Sequence, residues 1–406
     1  MEGQIQGVQH CLDLTLNRAP DGGILLELTP TAAPEETPPA SEPAPTELLS
    51  HRHQLLERIA HQTGAQRVLY YAFEASGDGA VQDEVRQGEA YGSYLGLHFP
   101  PSDIPQIARA LYLKNPWRLI VDARAQPVPL LGTGAPPPDL SHSDLRSVSP
   151  VHQIYMANMG VVGALSFPVV IAGKLEALIS AHSNNPLHPR PGQLDTLSTE
   201  VRRFSLKLTA LRAQARMRMI DNLERHFQHL EQALQRHGHL HGAWDEFAPR
   251  LQSDFHCDGV MLCSEQHLLC HGHGLHADAL HILDTWFRAQ TGEQLWSCTS
   301  LGQQLPGFPL SEIAGVMALK LPLGTGSGLR IYLTRCEHIH GIAWGGNPDK
   351  PVEYHDGQLG ITPRRSFENW IEQRLGHSRP WDNETRLLGL KLREFLLKIL
   401  QKAALG

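Results

Sequence analysis

Leu12, Leu14 and Leu16 alternate with other residues, as do Ile24, Leu26 and Leu28, and the turn-rich stretch 17–23 separates them. This period of two predicts a β-hairpin over residues 12–29. Residues 29–45 are rich in Pro, Ala, Glu and Thr, cannot bury a core, and read as an extended linker. From Glu47 to Gln62 the positions Leu48, Leu49, Leu55, Leu56 and Ile59 follow helical spacing, with Gly64 placed to end the helix. Strands are predicted at 68–73, 163–170 and 175–181, the last two joined by a turn at 172–174. Helix and strands together describe an α+β domain with an antiparallel sheet.

Leu194, Leu197, Val201, Phe204, Leu208 and Leu211 keep three-four spacing, and Leu223, Phe227, Leu230 and Leu234 continue it. One long helix is therefore predicted between Gln193 and His237, long enough to bridge two domains. Its apolar face serves either as a seam for a partner helix or as a core-facing spine. A second domain begins near Ala243, with strand-like runs at 259–263, 314–323 and 329–334. Residues 336–370 mix His, Gly, Pro and charge with Trp344 and Trp370, the texture of an arm leaving its own domain. Helical spacing returns over 383–405.

A chain of 406 residues exceeds the size at which one hydrophobic core keeps growing, which also argues for two domains. A formal charge of −7 without basic runs gives no electrostatic footprint for nucleic acid. No apolar run approaches the roughly 18 residues that span a bilayer, and the first residues lack a signal-peptide pattern. A soluble, cytoplasmic protein without membrane contact is expected. The six cysteines are scattered without a CxxC pair, as free thiols in a reducing compartment would be. Among the 24 histidines, 237, 239 and 241, then 271, 273, 276 and 281, then 338 and 340 cluster. They lack the Cys or carboxylate partners at fixed spacing that structural zinc sites use, so no metal site is expected.

Three ordered stretches carry a family resemblance. Leu97-His98-Phe99-Pro100-Pro101-Ser102-Asp103-Ile104-Pro105, continuing through Ala108-Arg109-Ala110-Leu111-Tyr112, resembles the chromophore-pocket motif of phytochrome GAF domains. The run from Asp139 through Ser141, His142, Ser143, Asp144 and Arg146 to His152, with Tyr155, Asn158, Met159 and Gly160, resembles the segment around the bilin in that family. Ala343-Trp344-Gly345-Gly346-Asn347-Pro348 and Pro363-Arg364-Arg365-Ser366-Phe367 resemble the WGG and PRxSF elements of the PHY tongue. The resemblance implies an α+β fold of GAF and PHY domains, each an antiparallel sheet flanked by helices. A long helix would join them, and a tongue would reach from PHY to GAF. Domains are expected at 1–35 (a residual PAS hairpin), 36–46 (linker), 47–215 (GAF) and 216–406 (PHY, with the tongue at about 335–380).

The resemblance further implies a linear tetrapyrrole of the biliverdin type. A bilin carries two propionates, which guanidinium groups receive best. Arg118 and Arg146 would hold them, with Ser166 adding a hydroxyl that Ala164 cannot. The Asp103 carbonyl and the His152 ring would face the inner nitrogens, and His182 would bond the outer ring's carbonyl. Tyr71, Phe99 and Tyr155 would pack around the rotating ring, and Ile104, Pro105 and Tyr112 complete the expected pocket. The Asp103 carboxylate would pair with Arg364 in one state and with Ser366 in the other, a bistable contact of the kind a switch needs.

This chain departs from the family in places. Val151 stands where the plant and cyanobacterial type has its attachment cysteine, Glu176 where a Trp is usual, and Ala181-His182-Ser183 where Cys-His-His is usual. The resemblance implies only the last hairpin of a PAS domain within this sequence. Cys11 is the N-terminal candidate for a thioether, and the bilin would be held through it or without a covalent bond. The expected function is a red/far-red photoreceptor module switching by Z/E isomerisation. The alternative is a chromophore-free GAF–PHY protein that dimerises through the long helix and regulates a partner. No kinase or cyclase region follows the PHY match, so no catalytic activity is expected. A homodimer and a separate, unidentified output partner are.

Overall fold

A computed structural model of the chain describes residues 12–20, 22–30, 48–74, 76–87, 92–131, 138–144, 146–322, 328–338, 340–346, 354–355, 358–359 and 369–405. The elements begin with β1 (Leu12–Arg18), β2 (Ile24–Pro30), α1 (Leu48–Thr63), β3 (Arg67–Phe73), β4 (Gly79–Arg86), β5 (His98–Phe99), α2 (Gln106–Tyr112), β6 (Arg118–Ile120) and α3 (Pro150–Asn158). Then come β7 (Gly163–Ile171), β8 (Lys174–Ser183), α4 (Pro191–His237), α5 (Trp244–Asp254), β9 (Gly259–Cys263), β10 (Leu268–Gly272), α6 (Ala277–Ala289), β11 (Leu295–Cys298) and α7 (Leu301–Gln304). The remainder is β12 (Ile313–Leu321), β13 (Leu329–Cys336), β14 (His340–Gly345), β15 (Tyr354–His355), β16 (Gln358–Leu359), β17 (Asn369–Arg374) and α8 (Asn383–Leu405). The architecture is α+β, and the chain divides into two compact units, residues 1–211 with 342–372 and residues 212–341 with 373–406.

The first unit is built on a sheet ordered β17-β14-β5-β4-β3-β8-β7-β6. Its described pairings are antiparallel except at Trp344 opposite His98, where β14 runs parallel to β5. The β7–β8 hairpin turns through Ala172 (φ 49°) and Gly173 (φ 77°). A two-residue turn with both positions left-handed matches the twist of the flanking strands, at the cost of placing an alanine there. Side chains alternate between the faces of these strands. Val68, Tyr70, Leu165, Phe167, Val169, Ala177, Ile179 and Ala181 form one buried face, packed on Leu55, Leu56 and Ile59 of α1 and on Leu197, Val201 and Phe204 of α4. The other face floors the cavity described below.

The β1–β2 hairpin behaves differently from a simple amphipathic ribbon. Its apolar row, Leu14, Leu16, Ile24, Leu26 and Leu28, is exposed, with Ile24 at 75%. The alternate row, with Asn17 and Glu27, supplies the hydrogen bonds to residues 143 and 144.

The second unit carries a five-stranded sheet ordered β10-β9-β13-β12-β11, antiparallel in every pairing. Val260, Leu262, Leu319 and Leu333 pack on α5, α8 and the end of α4. Met261, Val316, Ala318 and Tyr332 pack on α6. The buried Arg330 is held by Asp284 through two bonds of 2.7 and 3.1 Å, and Tyr332 donates to the same carboxylate at 2.5 Å. Pairing and full hydrogen bonding are what make a charge tolerable there. Among the described residues, no helix is long and apolar enough to cross a membrane, and no group of three or more His, Cys, Asp or Glu side chains could hold a metal ion.

Candidate functional site

Strand register assembles the floor of the site. Arg118 on β6 lies opposite Ser166 on β7, which lies opposite Ser180 on β8, which lies opposite Leu69 on β3. In the neighbouring row Ile120, Ala164, His182 and Arg67 align in the same way. Helix α3, opened by Pro150 at its first turn, adds His152, Tyr155 and Met156, and its C-cap Met159 continues the spacing that shares one helical face. The rings of His152 and Tyr155 stack 6.0 Å apart with 10° between their planes. The turn 102–105 and α2 contribute Asp103, Ile104, Pro105, Leu111 and Tyr112.

Together these groups enclose a cavity of about 540 Å³, within the range of about 300–1,000 Å³ typical of small-molecule sites. All twelve pocket positions named from the sequence line it: Tyr71, Phe99, Asp103, Ile104, Pro105, Tyr112, Arg118, Arg146, His152, Tyr155, Ser166 and His182. Glu176 is not among the lining residues. Tyr94, Met156, Leu178 and Ser180 line the cavity but were not singled out from the sequence, and Met159, named only as part of the bilin-segment motif, lines it too. Helical spacing from His152 points to the two methionines, and alternation back from His182 points to Ser180 and Leu178. Tyr94 sits outside any regular element and carries no such signal.

The aromatic wall is mutually packed, with ring separations of 5.9 Å for Tyr71–Phe99 and 5.7 Å for Tyr94–Phe99. Arg109 fixes the turn beside it, donating at 2.7 Å to both the Ile104 and the Gly77 carbonyls while its guanidinium lies 4.3 Å from the Phe73 ring centre. Tyr155 donates its hydroxyl to the Asp103 carboxylate at 3.2 Å.

Two guanidiniums share the cavity wall. Arg118 donates to the carbonyls of Asp144 (3.0 Å) and Arg146 (2.6 Å), and Arg146 donates to those of Ser141 (3.2 Å) and Ser143 (3.3 Å). Burial, and then the neighbouring Arg146 charge, bring Arg118 down to about 10. Burial also lowers Arg146. The Asp144 and Glu27 carboxylates offset this lowering only in part, so two neighbouring cations on a cavity wall favour an anionic ligand. The histidines are pushed the other way from charge. His182 drops to about 3 through burial, then the Arg67 and His152 charges, and Arg67 lies 3.3 Å from its Nδ1. His152 is lowered by the protein mass around it and by Arg118, although its ring offers open surface toward the cavity. The arrangement can therefore take a largely apolar molecule of small-molecule size bearing carboxylates, with neutral imidazoles available to donate or accept hydrogen bonds.

Arg364 and Ser366, the expected switch partners of Asp103, lie outside the described residues, as does Cys11. Among the described residues no cysteine lines the cavity. Cys257, Cys263, Cys270, Cys298 and Cys336 are free thiols of the second unit, and burial raises Cys257 and Cys263 to about 12.

Residues 223–404 match the family described as the phytochrome region. The chain is 32% identical over 366 residues to cyanobacterial phytochrome B of Nostoc sp., covering 86% of this chain and 47% of that one. It is 33% identical over 332 residues to a bacteriophytochrome of Xanthomonas campestris pv. campestris, covering 78% and 52%. The chain thus spans about half the length of the curated relatives it matches. The fold superimposes on the crystal structure of a bacteriophytochrome from R. palustris with a TM-score of 0.79 at 26% identity, covering 98% of this chain and 82% of that one. On the Stigmatella aurantiaca phytochrome photosensory core module the TM-score is 0.80 at 28% identity, again covering 98% and 82%. Matches in sequence and fold that run through both units place this protein in the phytochrome family.

Proposed function

We propose that this chain is a light-sensing module that binds a linear tetrapyrrole of the biliverdin type in the cavity of the first unit and switches between red- and far-red-absorbing forms by Z/E isomerisation. The observation that carries this reading is the pairing of two half-buried guanidiniums with a cavity of about 540 Å³ walled largely by aromatic and aliphatic side chains. When bound, the tetrapyrrole supplies visible absorption and a double bond that can isomerise.

The protein's own groups divide the remaining work. Arg118 and Arg146 receive carboxylates, and Ser166 adds a hydroxyl beside Arg118. His152 and His182, held neutral, bond ring nitrogens and carbonyls without adding charge to an already cationic wall. Tyr71, Phe99 and Tyr155 shape the space in which a ring can turn, and Asp103, bonded to Tyr155, is placed to report that turn. The exchange of Asp103 between Arg364 and Ser366 is carried by the family resemblance alone. This reading assigns no catalytic step to the chain. It includes a cytoplasmic homodimer that signals through a separate output partner.

The test is an absorption spectrum of the purified protein mixed with biliverdin, recorded before and after red light. A sharp red band that shifts reversibly is expected. Absence of any band beyond that of free biliverdin overturns the reading in favour of a chromophore-free scaffold. Denaturing wild type and Cys11→Ser after loading reports the linkage: pigment that stays with the wild-type chain alone assigns the thioether to Cys11.

A further inference from the structure

Outside the cavity, the hairpin at the start of the chain bonds the two residues whose carbonyls hold the pocket arginines. Glu27 accepts from the Ser143 hydroxyl at 2.6 Å and from the Asp144 amide at 3.0 and 3.2 Å through its two oxygens. Asn17 bridges two carboxylates, donating at 3.3 Å to Glu27 and at 3.3 Å to Asp144. The same two loop residues hold the guanidiniums through their carbonyls, Ser143 to Arg146 and Asp144 to Arg118. Each of these two residues is thus gripped on its amide or hydroxyl side by the hairpin and grips an arginine on its carbonyl side. Register explains why these side chains are available. Thr15 faces Glu27 and Asn17 faces Leu25, a row alternating with the exposed aliphatic one.

We propose that Asn17 and Glu27 are positioning residues for the carboxylate-binding arginines, clamping Ser143 and Asp144 so that both guanidiniums meet the ligand's two acid arms already aligned. The proposal rests on the tetrapyrrole reading above. It adds that the hairpin takes part in ligand selection without touching the ligand. Pre-aligned donors lose less freedom on binding, so the gain is in affinity for anionic arms specifically. Glu27 also places a negative charge near cations meant for an anion. Alignment therefore has to outweigh that competition, which gives the proposal a sign that can be tested.

The experiment compares binding of biliverdin and of biliverdin dimethyl ester, whose arms carry no charge, to wild type, Glu27→Ala, Glu27→Gln and Asn17→Ala. Affinity is read from the absorbance titration of the intact protein, with melting curves to exclude unfolded variants. Glu27→Ala and Asn17→Ala are expected to weaken biliverdin about tenfold, the scale of one lost charge-assisted bond, and the ester by less than about threefold. Glu27→Gln keeps an acceptor oxygen and should stay near wild type. Equal losses for acid and ester overturn the proposal by reducing the hairpin to general support, and so does tighter biliverdin binding in either Glu27 variant, which would make Glu27 a competing charge. If wild type binds neither pigment, the tetrapyrrole reading fails first and the proposal with it.

Discussion

Arg118 and Arg146 show what burial asks of single residues. Desolvation disfavours both charges and the Arg146 charge further disfavours that of Arg118, while the Asp144 and Glu27 carboxylates and the backbone carbonyls compensate only in part. An anionic ligand completes the balance. Replacing either with Ala is expected to weaken biliverdin binding about 10- to 100-fold, from the roughly 1.5–3 kcal/mol of a hydrogen bond to a charged group. Isothermal or absorbance titration measures it. Arg146→Ala should also relieve Arg118 of a like charge, so the double variant should lose less than the sum of the single losses.

At the level of elements, close approach of backbones decides which strands can meet. A Cβ on Gly345 would lie 2.5 Å from the Phe99 ring, beside the Trp344–His98 pairing of β14 with β5. Gly345→Ala is therefore expected to destabilise the first unit by about 1–3 kcal/mol, the usual scale of overpacking, read as a lower denaturation midpoint. It should also raise hydrogen exchange at 342–346. Because Phe99 lines the cavity, the same variant should weaken biliverdin binding, whereas an exposed substitution such as Leu16→Ser in the outer row of the hairpin should not.

For the whole molecule, buried titrating groups set the response to acid. The folded pKa of His182, about 3, lies below the unfolded value of about 6.5. Its contribution is therefore fully present above about 6.5 and is lost as pH falls toward 3, and His152 acts in the same direction. Asp144 works oppositely. Burial and the neighbouring Glu27 charge raise it to about 6, so its contribution is full below the ordinary carboxylate range and gone above about 6. Between pH 7 and 5 the two histidines and Asp144 thus oppose each other. Wild type without pigment is expected to lose up to about 2 kcal/mol more than His182→Asn over that interval, at about 1.4 kcal/mol per pH unit and proton. Chemical denaturation of both proteins at the two pH values checks it, and equal slopes would place the His182 proton elsewhere.

The sequence alone determined the elements with a sustained period: the hairpin, α1, β3, β7, β8, α4 and α8 are local, since spacing of two or near 3.6 reports which face is buried whatever it is buried against. The resemblance also named twelve positions that line the cavity, eight of them inside its quoted motifs and Tyr71, Arg118, Ser166 and His182 outside them. Two-residue strands such as β5, β15 and β16 carry no period and exist only through their partners. Which hairpin face docks was likewise hidden. Alternation predicts burial of the leucine row, yet the row with Asn17 and Glu27 meets the loop while the leucines stay exposed, because hydrogen-bond partners 116 and 117 residues away leave no mark on local pattern. Strand register, the gathering of Arg118, Ser166 and Ser180 into one row, and the low pKa of His182 were decided by tertiary structure alone, since each depends on what distant segments place within a few ångströms of one another.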